Sequence, residues 1–126
     1  MRDKLLLFVL LSVLLGLLPG CGGSESKWKA YVGTWVRNNS VSTQIEVKPN
    51  GESFIVTQYS GLAGQVMKQD FIAKPQGEVL VVTFLGSDIP IIHSKSEDEL
   101  SFEGGKYHRQ KPEEGQKLED MKKKVK

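Results

Sequence analysis

Few side chains in this sequence have the type and spacing that chemistry requires. There is one cysteine, Cys21, and there are two histidines, His93 and His108. A metal site built on the histidines would need ligands converging from several strands, and no such pattern is visible. Glu97-Asp98-Glu99 supplies carboxylates but lacks the alternating acids and the glycine of a calcium loop, so it reads as a solvated turn. Gly86-Ser87-Asp88 is not a nucleophile elbow, because Gly-x-Ser-x-Gly is absent. Asn38-Asn39-Ser40 matches a glycosylation sequon and reads more simply as a polar loop after a first strand. No glycine loop follows a strand to cradle a phosphate. The expectation is a protein that is not an enzyme and uses no metal or cofactor.

The cysteine is the exception, because of what precedes it. Met1-Arg2-Asp3-Lys4 is a short charged start, and residues 5–18 form an apolar run broken only by Ser12 and Gly16. That run is shorter than a bilayer-spanning helix and has the proportions of a signal peptide. It ends in Leu18-Pro19-Gly20-Cys21, which resembles the lipobox of bacterial lipoproteins: Leu18, Gly20 and Cys21 match, and Pro19 departs from the usual small residue. The resemblance implies removal of residues 1–20, acylation of Cys21 and anchoring in a bacterial cell envelope. Each buried acyl methylene adds about 0.8 kcal/mol, so several chains hold a small protein at the bilayer. Gly22 is not the aspartate that commonly retains lipoproteins in the inner membrane. In a Gram-negative host the resemblance therefore implies the outer membrane, facing the periplasm. In a Gram-positive host it implies the outer face of the cell membrane.

Cleavage there removes Arg2, Asp3 and Lys4 and leaves a chain close to neutral, which argues against a nucleic-acid partner. With Cys21 consumed, stability must come from a hydrophobic core and backbone pairing. Residues 21–27 read as a flexible polar tether, 28–110 as one β domain, and 111–126 as a basic tail, either disordered or a short helix.

Within the β domain, Val41, Thr43, Ile45 and Val47 alternate with Ser42, Gln44, Glu46 and Lys48, which puts the first set in a core and the second in water. Pro49-Asn50-Gly51-Glu52 turns this strand into 53–59. Turn signals at 61–64, 75–77, 86–88, 97–99 and 104–105 separate further apolar runs, of which 79–85 is the most hydrophobic. Counting 32–37 as the first strand gives eight. Short links make an antiparallel up-and-down meander, which either closes into a small barrel or stays an open, bent sheet; closure, which removes the edges, is expected. Gly33-Thr34-Trp35 resembles the Gly-x-Trp start of lipocalins and related calycin barrels. The resemblance implies that Trp35 plugs one end of the barrel, with Gly33 beside it and Arg109 packing across the indole.

Two features go beyond scaffold. Gly61-Leu62-Ala63-Gly64 places a leucine on a loop, where it either contacts a partner at an open barrel mouth or packs back on the domain. In the tail, Leu118, Met121 and Val125 fall at helical spacing, and Lys122, Lys123, Lys124 and Lys126 form a basic end suited to an anionic surface or to solubility alone. The reading that follows is a lipid-anchored binding module contacting an envelope protein or a small apolar ligand. The alternative is an inhibitor or protective lipoprotein that blocks an enzyme through an exposed loop.

Overall fold

The computed structural model describes residues 27–125. The chain divides into two compact units, one ending at Ala30 and one beginning at Tyr31. Of the first, a helical turn at 27–29 is described, so Lys27 and Trp28 are helical where the sequence suggests the end of a tether and the start of the β domain; the Lys27 ammonium lies 5.1 Å from the Trp28 ring centre.

The second unit is the expected all-β fold. Its eight strands are β1 (Gly33–Arg37), β2 (Ser40–Asn50), β3 (Ser53–Leu62), β4 (Gln65–Gln76), β5 (Val79–Phe84), β6 (Ser87–Ser94), β7 (Glu99–Phe102) and β8 (Gly105–Arg109). Each pairs antiparallel with the next, and β8 pairs back on β1, closing an up-and-down barrel. Residues directly opposite in an antiparallel ladder share a face. Trp35 opposite Ile45, Val47 opposite Val56, Val56 opposite Phe71, and Leu100 opposite Tyr107 belong to the inward set, and all seven residues are buried.

The strands run further than sequence punctuation suggests. Pro49 and Pro75, expected in turns, lie inside β2 and β4 opposite Phe54 and Leu80. Each sits past the end of one of its two neighbouring ladders, as does Pro90 in β6, so the missing N–H faces no partner strand. The turns shrink correspondingly. At 63–64, 85–86 and 103–104 both central residues have positive φ, including Leu85 at 52° and Ala63 at 54°, the two-residue geometry whose twist matches that of the strands. Because successive turns of a meander alternate ends, these three share one rim with 38–39. The turns at 51–52 and 77–78, the 95–98 link and both barrel termini form the opposite end.

The tail is a helix, α1 (Pro112–Lys124), laid along the outside of β2, β3 and β4. Pro112 opens it, the Lys111 amide donates to Glu114 Oε1 at 2.8 Å, Glu113 and Glu114 occupy the first turn and three lysines the last, as the helix dipole favours. Leu118 and Met121 bury against Tyr59, flanked by Val66 and Val125. This corrects the assignment of Gln44 to a water-facing row. Gln44 is fully buried: its amide nitrogen donates to the carbonyls of Val41 and Glu114, both at 3.0 Å, and its oxygen accepts from Gln110 Nε2 at 2.8 Å. A buried amide costs little when its groups are bonded, and here β2, Gln110 and α1 each provide one of the bonds.

Candidate functional site: the two ends of the barrel

At the terminal end, Gly33, Trp35 and Arg109 come together. Trp35 is fully buried and donates from Nε1 to the Tyr31 carbonyl at 3.0 Å, while the Arg109 guanidinium carbon lies 4.3 Å from the centre of the indole. Gly33 has φ 138°, and a Cβ there would stand 3.1 Å from Arg109 Nη1, so glycine answers both the backbone and the arginine. Arg109 donates to Asp98 Oδ2 at 2.7 Å and to the Val32 carbonyl at 3.2 Å. His93, with a mostly buried side chain, packs edge-on to Trp35 and bonds Asp98 Oδ1 through Nε2 at 2.8 Å. The hydrogen bonds of His93 and then Arg109 hold the Asp98 carboxyl below its ordinary pKa. Asp98 links His93 to Arg109, and Arg109 covers the buried indole, which makes this end a structural seal with a solvent-facing outer layer. Asp98 lies in a solvated turn, as read from the sequence, and from there its carboxylate also reaches His93 and Arg109.

His108 serves the helix. Its Nδ1 bonds Asn38 Oδ1 at 2.7 Å and its Nε2 bonds Glu114 Oε2 at 2.9 Å. Burial pulls the Glu114 carboxyl up, but the Lys111 amide and the His108 ring outweigh it and leave the pKa lowered. Among the described residues no group of three or more His, Cys, Asp or Glu is placed to hold a metal.

The rim is different, because apolar side chains there meet water. Leu62 is 77% exposed, Met67 70%, Leu85 89% and Phe84 36%. The reading in which Leu62 packs back on the domain is therefore corrected. Gly61 and Leu62 end β3, only Ala63 and Gly64 form the turn, and Leu62 projects. Gly61 lies beside α1, where a Cβ would stand at ordinary contact distance from Ser42 and from the Met121 sulfur, 3.6 Å away. Below the rim, Phe71 packs edge-on against both Phe84 and Phe102. The Arg37 guanidinium lies over Gly105, where a Cβ would meet Cζ at 3.0 Å. Beside it, burial pushes the Tyr107 phenol above its ordinary pKa, against the opposing pull of a Gln58 hydrogen bond and the Arg37 charge.

Met67, Phe84 and Leu85 were not identifiable as rim residues in the sequence, where 79–85 reads as uninterrupted core. The one available signal was Leu85-Gly86, a turn-forming pair at the end of the apolar run. Of the tail lysines, Lys122 is engaged by the barrel, 3.2 Å from Glu46 Oε1, 3.8 Å from Glu119 Oε1 and 5.7 Å from the Tyr59 ring centre. Lys123 and Lys124 are exposed, and Lys124 with Val125, Gly64, Gln65, Val66 and Lys68 lines an open cleft of about 580 Å³ between the helix end and the β3–β4 hairpin. Cys21 and Lys126 lie outside the described residues.

A scan against family models, a search of curated proteins and a search of solved structures each returned no match to this chain.

Proposed function

We propose that this chain is a lipid-anchored, non-enzymatic binding module of a bacterial cell envelope that presents the rim of its barrel to an envelope protein. Residues 1–20 are the signal peptide, Cys21 carries the acyl anchor, and in a Gram-negative host the barrel faces the periplasm from the outer membrane. The observation that carries the reading is the exposure of Leu62 and Leu85 at hairpin tips of one end, with Met67 below the first tip, while the other end is sealed by Trp35 and Arg109. Exposed apolar side chains gathered on one face mark an interaction surface. The inward positions hold large buried side chains, including Trp35, Tyr107 and Phe102, which favours a protein partner over a small apolar ligand.

The β3–β4 hairpin also favours a second reading. β4 pairs with β5 only from Ala73 to Gln76, so the hairpin stands beyond its neighbour, a shape suited to blocking an enzyme. One experiment tests the rim in both readings. Wild type and a Leu62→Asp/Leu85→Asp variant, equally folded by circular dichroism, are purified from cells after reversible cross-linking. Loss of a co-purifying envelope protein in the variant supports the proposal. Equal recovery with both proteins rejects it.

A further inference from the structure

The barrel interior opens at the rim. Next to the rim turns, the inward positions are Arg37 on β1, Phe84 on β5, Phe102 on β7 and Gly105 on β8, and Met67 on β4 faces the same way below the first tip. Phe71 packs under Phe84 and Phe102, at 5.5 Å and 6.0 Å between ring centres, and gives the mouth an aromatic floor. Met67, Gln69 and Phe84 belong to inward rows and yet meet water, so the mouth is not filled by its own side chains.

Arg37 is half-buried in this mouth, and among the described residues neither a hydrogen bond nor an ion pair holds its guanidinium. Packing positions it instead. It lies against Gly105, where a Cβ would meet Cζ and Nε at 3.0 Å and Nη2 at 3.2 Å. The Tyr107 hydroxyl, on the residue opposite Arg37, is engaged by Gln58. Glu103, in the adjoining turn, is exposed and forms no ion pair with Arg37. No nitrogen of the guanidinium is both buried and unbonded, so its donors open to the mouth. A guanidinium presents those donors in a planar fork that fits a carboxylate with two parallel hydrogen bonds.

We propose, on the reading of the rim as a protein-binding face, that the partner delivers a carboxylate into this mouth, where Arg37 receives it and an apolar side chain of the same segment covers Phe84 and Met67. The lining selects that chemistry. A cation with no counter-charge among the described residues calls for an anion, and in a protein that anion is an aspartate, a glutamate or the chain end. The exposed ring and thioether beside it call for an apolar neighbour to the acid. Arginine among aromatic groups, ringed by apolar contacts that exclude water, is the composition of interface anchors, and Leu62 and Leu85 at the tips supply that ring. Gly105 is a positioning residue, since its missing Cβ lets the guanidinium lie against β8.

The test uses the full chain in living cells, with a photoreactive residue at Leu85 reporting the adduct formed at the rim. Arg37→Gln should lower that adduct by about tenfold or more, the scale of one lost charge-assisted contact. Arg37→Lys, which keeps the charge and loses the fork, should lie between. Gly105→Ala should lower it too: Gly105 is not among the positive-φ glycines, so alanine suits the backbone and displaces only the end of the arginine side chain. Arg37→Glu should abolish the adduct, and arginine in place of the acid in the cross-linked segment should then restore it. Circular dichroism and melting temperature check that each variant is folded. An adduct unchanged in Arg37→Gln and Gly105→Ala overturns the carboxylate and leaves the rim a binding face, whereas no adduct from the wild type overturns both. A small carboxylic acid that co-purifies with the wild type and not with Arg37→Gln would make the mouth a small-ligand site and overturn the proposal as well.

Discussion

Replacing Trp35 by alanine tests whether the terminal end is the seal on which the barrel depends. The indole is fully buried, its nitrogen is bonded to the Tyr31 carbonyl, and Arg109 covers its face at 4.3 Å. Removing a buried tryptophan side chain costs about 3–5 kcal/mol, a range that already includes about 0.5–2 kcal/mol of cation–π attraction. For a domain of this size each kcal/mol moves the melting temperature by about 4–8 °C, so a fall of at least about 12 °C is expected. Thermal unfolding followed by far-ultraviolet circular dichroism measures it. Trp35→Phe, which keeps a ring under Arg109 but loses the hydrogen bond, should lie between the two. A Trp35→Ala protein melting within two degrees of wild type would refute the seal and the role assigned to Arg109 with it.

The same contacts predict how stability responds to pH and to other substitutions. Because folding lowers the Asp98 pKa, its contribution is complete above the unfolded carboxylate value of about 3.9 and is lost as pH falls through the folded value. Urea midpoints should thus drop in acid, and less steeply in Asp98→Asn. Against the opposing effect of burial, the Glu46 hydrogen bond and charge raise the Lys122 pKa, so its contribution is present below the unfolded lysine value of about 10.4 and fades as pH rises through the folded one. Tyr59, raised chiefly by burial and then by Glu46, fails in the same direction, and α1 should release first in alkali, seen as loss of protection in hydrogen exchange. Leu118→Ala, at a buried contact with Tyr59, should cost about 2–5 kcal/mol and expose Gln44. Gly33→Ala should destabilise measurably, since φ 138° and Arg109 both oppose a Cβ.

The eight strands were legible because the period-two pattern and the glycine turns are local signals. From Ile45 to Lys48 the alternation gave the faces correctly, whereas Val41, assigned to the core with them, is 41% exposed at the start of β2. What stayed hidden depended on distant partners. Gln44 has the type of a solvent-facing residue and becomes core only because a helix seventy residues later brings the Glu114 carbonyl to it. Pro49 and Pro75 read as turns, yet a proline is accepted in a strand wherever one ladder has already ended, and ladder ends are a property of the stagger. At the terminal end the pairing of Trp35 with Arg109 was suggested by motif resemblance, whereas His93 and Asp98 were invisible as members, because β6 pairing brings the first there and the 95–98 link the second. The rim was hidden for the converse reason. Met67 and Phe84 alternate like core residues, and only the premature end of β4–β5 pairing leaves them in water.

The most direct test of the rim as a binding face is site-specific photocross-linking in living cells. A photoreactive residue is placed in turn at Leu62, at Leu85 and, on the opposite end, at Glu52. The account predicts that Leu62 and Leu85 give an adduct with the same envelope protein and that Glu52 does not. An adduct from Glu52 alone, or equal labelling from both ends, would contradict it.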